Sequence, residues 1–318
     1  MPKKIKYLYT AFRLFEDIIK NSPTMTGCYQ WLEVFKGDAK NYADLTDVDL
    51  ESYDVIMVNL DGQDCRMVVD LKRRLGDSST KIIANQDYAP EGMVSAFQLY
   101  EDLKNGILYA DGVFATSPSA QKIFECIAEG KKKIHLIPHP CETTALKHID
   151  SVIENDWVAC FYHRYGQDSI TPYIALQDIG LKHGLIGHYP GGDKWYKRTK
   201  SMWKITVPYL KFHDAIKVMR EAKYGLFVPN SYTYGRVPCD MACVHRPLVA
   251  SNKIWSAQIC YPLTLVDPYD VQGMRALLLK LANEPEFYDE VRDLAYHQVE
   301  FFNHDNSRNR FLQMLEES

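Results

Sequence analysis

The sequence predicts two tandem α/β domains, each built on a doubly wound parallel sheet. Short, β-branched apolar runs alternate with amphipathic helical stretches along the chain, a rhythm typical of parallel sheets. The 318 residues also exceed what one hydrophobic core commonly holds. Pro138-His139-Pro140 interrupts the alternation, and a second strand–helix series follows it. These observations predict two Rossmann-like domains with a cleft between them.

The first series is assigned to a domain of residues 1–150. Its strands are predicted at 5–10, 53–60, 81–85, 112–116 and 133–138. Its helices are predicted at 12–20, 28–35, 66–75, 95–104 and 120–129, and Ser117 can cap the last of them.

The second series is assigned to a domain of residues 151–318. Its strands are predicted at 157–162, 184–187, 204–207, 226–229, 247–251 and 263–266. Helices are predicted at 171–182, 214–222, 268–282 (capped by Asp267) and 286–316, with an interruption near 303–307. The last helix is a candidate for crossing back to the first domain.

Composition narrows the class of protein. Apolar residues make up 46% and charged residues 25% of the chain, which is typical of a globular protein. The net charge of −4 gives no global attraction to nucleic acid or anionic lipid. No apolar run reaches the roughly 18 residues of a membrane span. The eight cysteines include no CxxC pair. A cytoplasmic location is expected.

The stretch 226–251 carries the strongest ligand-site pattern. It reads as a strand, a polar turn, a short helix opened by Asp240, and a second strand. In parallel sheets this arrangement places a ligand at the carboxyl ends of the strands. A plain helix-start acid, which would add only about 0.3–1 kcal/mol, is the alternative role of Asp240.

Several motifs together resemble a known family. They are ADGVFATS at 110–117, IHLIPH at 134–139, YHRYG at 162–166, PNS at 229–231, DMAC at 240–243 and PLVAS at 247–251. In this order they resemble the group-1, glycogen-synthase-like glycosyltransferases of the GT-B fold. The resemblance implies a hexosyltransferase-like, retaining, metal-independent enzyme without a further cofactor. A UDP- or GDP-sugar would bind the second domain, and the acceptor would bind the first.

Three departures from the family pattern leave alternatives open. The first acidic residue of the family's pair falls at Tyr232 or Thr233, and no lysine counterpart follows Gly166. His245 stands where the family has glycine. The donor contacts are therefore altered, or the chain is a catalytically silent sugar-nucleotide-binding protein. An epimerase acting on sugar nucleotides is a further alternative.

The resemblance also implies the donor-binding residues. Arg164 would hold the leaving diphosphate as a catalytic residue, since arginine grips phosphate oxygens bidentately. Asp240 would hydrogen-bond the ribose. An ordinary ion pair is the alternative role of Arg164. The other donor-side candidates are Tyr232, Thr233, Tyr234, Gly235, Arg236, Tyr209, Leu210, Gly187 and His188.

Two aspartates of the first domain follow predicted strands. Asp87 and Asp61 could each orient the acceptor hydroxyl or act as a base, and we take Asp87 as the catalytic candidate. Structural capping explains each equally well. His139, between two prolines, is interpreted as a linker residue. Asp47 and Asp49 form a DxD pattern, but it precedes a strand, so a metal–diphosphate role is discounted.

Residues 194–204 contain five basic and three aromatic residues in eleven positions. Such interleaving suits a polyanion or a membrane surface. Lys197 and Arg198 are therefore acceptor-side candidates, and a solvated loop is the alternative. The acceptor stays open between a glycan, a lipid and a nucleic acid. A DNA- or polyanion-directed glycosyltransferase that uses this patch is an alternative function, and peripheral membrane contact is a separate option.

Overall fold

The computed structural model describes residues 5–12, 14, 27–87, 99–148, 155–161, 170–186, 203–207 and 212–318. The chain divides into two compact units. Unit 1 comprises Met1–Glu142, Tyr232–Tyr234 and Phe302–Ser318, and unit 2 comprises Thr143–Ser231 and Gly235–Phe301. Each unit contains one six-stranded parallel sheet, so the predicted tandem α/β fold is confirmed. The functional division at residue 150 stays a prediction.

The strands are numbered in chain order. They are β1 (Tyr7–Ala11), β2 (Asp38–Asn41), β3 (Val55–Asn59), β4 (Lys81–Gln86), β5 (Gly112–Ala115), β6 (Ile134–Leu136), β7 (Asn155–Phe161), β8 (Lys182–Ile186), β9 (Thr206–Val207), β10 (Ala222–Phe227), β11 (Leu248–Ser251) and β12 (Leu265–Val266).

The α-helices are numbered in the same way. They are α1 (Gln30–Phe35), α2 (Asp47–Glu51), α3 (Cys65–Leu75), α4 (Tyr100–Tyr109), α5 (Pro118–Ala128), α6 (Thr143–Lys147), α7 (Ile170–Leu176), α8 (Phe212–Glu221), α9 (Val237–Cys243), α10 (Trp255–Cys260), α11 (Val271–Asn283), α12 (Pro285–Gln298) and α13 (His304–Glu317).

The sheet of unit 1 has the order β2-β1-β3-β4-β5-β6. Its two faces are covered by different helices because strand residues alternate between them. Ile56 and Val58 of β3 pack with α3, α4 and α5, whereas Met57 packs with α1 and α13. On the second face, the Phe311 ring lies 5.0 Å from Phe35 and 5.1 Å from Trp31, centroid to centroid. Burial on both faces explains the continuous apolar run of β3.

The sheet of unit 2 has the order β12-β11-β10-β7-β8-β9. Counted within the unit, this is the 3-2-1-4-5-6 order of dinucleotide-binding domains. The strand order reverses between β7 and β10, which are hydrogen-bonded neighbours. In unit 1 the order reverses between β1 and β3. Such reversal points are where parallel sheets bind ligands, at the carboxyl ends of the strands.

Several predicted boundaries are wrong for local reasons. The helix predicted at 171–182 ends at Leu176, because Asp178 (φ 61°) and Gly180 (φ 76°) adopt left-handed conformations before β8. Asp270 caps α11 by accepting from the Gly273 amide, and Asp267 accepts from the Tyr269 amide instead. The sequence also missed β2 (DAKN), an edge strand whose polar residues carry no apolar alternation.

The helix predicted at 95–104 runs on to Tyr109 as α4. It continues through Gly106, where a Cβ atom would lie 2.9 Å from Leu60 Cδ2 and 3.1 Å from the Cys65 carbonyl oxygen. The glycine is therefore required by close packing and does not end the helix.

Among the helices in the described ranges, none combines the length and hydropathy needed to cross a bilayer. The cytoplasmic location inferred from the sequence stays a prediction.

His245 occupies the left-handed position that ends α9. Its φ is 60°, its amide donates to the Ala242 carbonyl, and the Arg246 amide donates to the Met241 carbonyl at 3.1 Å. This hydrogen-bond pattern normally selects glycine, which is the residue that the family has here. The imidazole Nε2 lies 2.8 Å from Asp293 Oδ1 on α12. The histidine therefore combines a strained left-handed backbone with a side-chain contact to α12 that glycine could not make.

We predict that His245→Gly is more stable than His245→Ala by about 1 kcal/mol, because both lose the Asp293 contact but only glycine relieves the left-handed strain. Urea denaturation followed by circular dichroism measures the difference. The control is His297, an exposed position within α12, where glycine should instead be about 1 kcal/mol worse than alanine. Equal stabilities of the two His245 variants would contradict the strain.

Candidate functional site

The predicted donor turn follows β10 at the reversal point of unit 2. Ser231 is 5% exposed, while the Tyr232 side chain is 49% exposed. Gly235 has φ 77°, and a Cβ atom there would lie 2.3 Å from Ile254 Cγ2. The Ser256 hydroxyl donates to the Gly235 carbonyl at 2.5 Å. The second half of the turn is therefore fixed against the segment that begins α10, and glycine is required at 235.

Arg236 and Asp240 form a buried ion pair in this turn. The Arg236 Nε donates to Asp240 Oδ1 at 2.6 Å, and the two side chains are 9% and 0% exposed. The guanidinium carbon also lies 5.1 Å from the centroid of the Phe212 ring. Asp240 is fully buried, and its side chain contacts Arg236, so in this structure it orients the Arg236 guanidinium. Its predicted contact with a ribose stays a prediction.

Lys253 is a cation at the carboxyl end of β11, beside the predicted donor turn, that the sequence interpretation missed. Its ammonium donates to the Asn230 Oδ1, and the Asn230 amide nitrogen donates to the Tyr269 hydroxyl. Lys253 comes two residues after β11, and Asn230 comes three residues after β10. Both follow the carboxyl end of a parallel strand, a position that could have identified Lys253 from the sequence.

The first half of the donor turn belongs to the other unit. Tyr232, Thr233 and Tyr234 are part of unit 1, whereas Gly235 and Arg236 are part of unit 2. The Tyr234 ring is 6% exposed and lies 5.8 Å from the His139 ring and 5.6 Å from the Phe302 ring. Of these predicted residues, Tyr234 therefore serves as a packing residue of unit 1.

In unit 1, Asp87 follows β4 and is paired with a histidine. The His139 Nε2 lies 2.6 Å from Asp87 Oδ1, and the two side chains are 2% and 21% exposed. His139, interpreted from the sequence as a linker residue, lies buried beside the catalytic candidate. The chain places it two strands over from β4, three residues after β6.

Asp61 and Asp64 lie at the reversal point of unit 1, just after β3. Asp61 is partly exposed, and Asp64 Oδ1 accepts a hydrogen bond from the Phe12 amide at 3.2 Å. Burial raises the pKa of Asp64 to about 6, and the charge of Asp61 adds to the shift, while the Phe12 hydrogen bond opposes it. The sequence pointed to Asp61 but missed Asp64, whose burial no local pattern reveals.

The DxD pattern and a cavity of unit 1 do not belong to the predicted donor or acceptor site. Asp49 closes a capping box with Thr46, whose hydrogen bonds lower the Asp49 pKa to about 2. Asp47 pairs with Arg74. The DxD pattern is thus structural. A cavity of about 270 Å³ lies at the amino-terminal edge of the unit 1 sheet, away from the strand ends where such sheets bind ligands.

Seven of the predicted site residues lie outside the described residues. They are Arg164, Gly187, His188, Lys197, Arg198, Tyr209 and Leu210. Within the described ranges, no group of three or more His, Cys, Asp or Glu side chains is arranged to hold a metal ion.

No family model and no curated protein matches the chain. Solved structures do match it. An E. coli trehalose-6-phosphate structure bound with UDP-2-fluoro glucose has a TM-score of 0.74 at 11% identity, covering 98% of this chain and 99% of that one. HepE from Anabaena in complex with UDP has a TM-score of 0.72 at 12% identity, covering 99% and 100%.

A trehalose 6-phosphate synthase from Burkholderia multivorans has a TM-score of 0.67 at 13% identity, covering 85% of this chain and 72% of that one. These likenesses show that the chain has the GT-B fold.

We predict that Asp64→Asn stabilises the protein by about 1–3 kcal/mol near pH 7.5 and has little effect near pH 4. Asp64 binds its proton more tightly in the folded chain than in the unfolded chain. Its contribution to stability is therefore complete below about pH 4 and lost as the pH rises through about 6. Urea titrations at the two pH values measure this.

The control is Asp77→Asn on the surface, which should change the stability by less than about 0.5 kcal/mol at either pH. A destabilised Asp64→Asn variant near neutral pH would show that the charged carboxylate is favoured in the fold.

Proposed function

We propose that the protein is a metal-independent, retaining glycosyltransferase that moves a sugar from a nucleotide sugar to an acceptor hydroxyl. The observation that carries the proposal is the buried Arg236–Asp240 pair in the turn at the reversal point of unit 2. The GT-B fold supports it, since the matching structures include proteins bound to UDP and to UDP-2-fluoro glucose. We take UDP as the preferred nucleotide for the same reason.

Sugar transfer breaks the bond between the sugar carbon and the diphosphate oxygen. The enzyme must therefore stabilise a leaving diphosphate. Asp240 accepts a hydrogen bond from the Nε of Arg236 and so fixes the guanidinium. A phosphate that binds there therefore contacts a cation that is already oriented. Lys253, held by Asn230, supplies a second cation after the neighbouring strand. We assign both cations to the donor diphosphate, together with Arg164.

On unit 1, we assign Asp87 to the acceptor. A carboxylate accepts a hydrogen bond from the acceptor hydroxyl and so directs its oxygen lone pair toward the sugar carbon. His139 beside Asp87 constrains the carboxylate to one orientation. Asp61 is assigned to the same side. The acceptor oxygen then forms the new glycosidic bond on the face of the sugar that UDP leaves, and the hydroxyl proton passes to the departing diphosphate, so the anomeric configuration is retained.

Calorimetric titration with UDP, GDP and ADP, followed by product analysis with the corresponding glucose nucleotides, tests the proposal. We expect UDP to bind and UDP-glucose to be turned over or slowly hydrolysed, with the anomeric configuration retained. If no nucleotide binds, the proposed function is wrong. Binding without turnover or hydrolysis across many acceptors would instead identify a silent sugar-nucleotide-binding protein.

We predict that Arg236→Gln and Asp240→Asn each weaken UDP binding by at least about tenfold, or 1.4 kcal/mol, because either change removes the oriented guanidinium. The double variant should bind no more weakly than the worse single variant, since the two residues act as a unit. Calorimetry measures the affinities.

Breaking a buried ion pair costs about 3–5 kcal/mol of stability, so each variant is first checked for folding by circular dichroism. The control is Arg292→Gln, which breaks an ion pair with Asp293 on α12 and should leave the affinity for UDP unchanged. Wild-type affinity in both folded site variants would remove Arg236 and Asp240 from the donor site.

A further inference from the structure

A row of buried polar side chains ends the apolar face of the unit 1 sheet that α1 and α13 cover. Asn59 is the last residue of β3 and is 6% exposed, and Asn85 on β4 is 0% exposed. The two residues are register partners on neighbouring parallel strands. Register partners point to the same side of a sheet. Both amides therefore follow Met57 and Ile83, two residues earlier, on that face.

Three polar atoms of these amides are buried without a hydrogen-bond partner among the residues that the structure describes. They are the Asn59 Oδ1, the Asn85 Oδ1 and the Asn85 Nδ2. More than about 90% of buried polar groups in proteins are paired, and an unpaired one is costly. Two adjacent unpaired amides at the carboxyl ends of parallel strands therefore mark a place that a polar ligand completes.

Asp87 and His139 continue the row beyond the amides. Asp87 comes two residues after Asn85 and directly follows the end of β4. His139 lies 2.6 Å from its carboxylate. A Cβ atom on Gly27 would lie 2.6 Å from the same oxygen, Asp87 Oδ1. The backbone at Gly27 therefore also borders the row.

The unpaired hydrogen-bonding atoms of the row indicate which chemical group could bind there. The two amide oxygens require hydrogen-bond donors, and the Asn85 amide nitrogen requires an acceptor. A hydroxyl group supplies both. A phosphate oxygen at neutral pH only accepts, so it cannot satisfy the two amide oxygens.

We propose that Asn59, Asn85, Asp87 and His139 bind the hydroxyl groups of an uncharged sugar ring. This assignment rests on the proposed function, in which Asp87 contacts the acceptor. A ring of the transferred sugar bound by the same groups is the second outcome that the experiment distinguishes.

The experiment measures the affinities of glucose, galactose and mannose, of UDP, and of UDP-glucose for the wild-type protein and for Asn85→Leu and Asn59→Leu. Leucine fills a similar volume and removes the unpaired polar atoms, so the melting temperature should stay at or above that of the wild type. Two variants are used so that misfolding of one still leaves a result. Saturation-transfer NMR and calorimetry provide the affinities.

We expect UDP to bind the leucine variants as it binds the wild type. If the ring belongs to the acceptor, hexose binding falls at least about tenfold in the variants. If the ring belongs to the transferred sugar, the affinity for UDP-glucose falls by the same factor while that for UDP does not change. Either pattern supports the proposal, and the two patterns identify the source of the ring.

The matched control is Thr80→Val at the start of β4. Thr80 is 4% exposed, and its hydroxyl donates to the Tyr53 carbonyl at 2.8 Å. This variant should melt at a lower temperature and keep wild-type sugar binding. The proposal is overturned if folded leucine variants bind hexoses and UDP-glucose like the wild type. It is also overturned if no hexose binds the wild type and UDP-glucose binds no more tightly than UDP. Failure of UDP itself to bind would instead refute the proposed function.

Discussion

The parallel pairing of all strands described in the two sheets is the constraint on which the rest of the structure depends. Parallel strands need crossover connections, which cover both faces of each sheet with helices and loops. The carboxyl ends of the strands consequently gather at one edge, and the polar turns that follow them are brought together. Asp61, Asp87 and His139 meet this condition in unit 1, and Asn230, Arg236 and Lys253 meet it in unit 2.

The two edges satisfy their buried polar groups in different ways. In unit 2, the buried carboxylate of Asp240 is held by the Nε of Arg236, so the charge is balanced within the chain. In unit 1, the amide oxygens of Asn59 and Asn85 have no such partner within the described part of the chain. The first arrangement fixes a cation in place before a ligand arrives. The second leaves hydrogen-bonding capacity that an incoming hydroxyl group can use.

The apolar strands and their alternation with helices predicted the fold, because burial on both faces leaves a clear signal in the sequence. The same logic located Asp61, Asp87 and Arg236, since each follows a predicted strand. It could not identify Asn59 or Asn85, because each lies inside an apolar run and its missing partners are visible only in three dimensions.

The pairing of His139 with Asp87 was equally hidden, since it joins residues 52 positions apart in the sequence. The edge strand β2 could not be predicted from an apolar pattern, because an edge strand is partly exposed to solvent and does not need apolar residues. His245 shows a different case: the left-handed backbone that ends α9 favours the glycine of the family pattern, and the histidine that replaces it gains a contact with Asp293.

We propose that the nucleotide binds the β10–α9 turn and that a sugar ring binds the Asn59–Asn85 edge. Hydrogen exchange read by mass spectrometry tests both sites most directly, because it localises protection along the chain. We expect UDP to slow exchange in 228–240, and UDP-glucose or an uncharged hexose to add protection at 83–87 and 137–141. Protection by UDP that spares 228–240, or by the sugar that spares 83–87, would contradict this proposal.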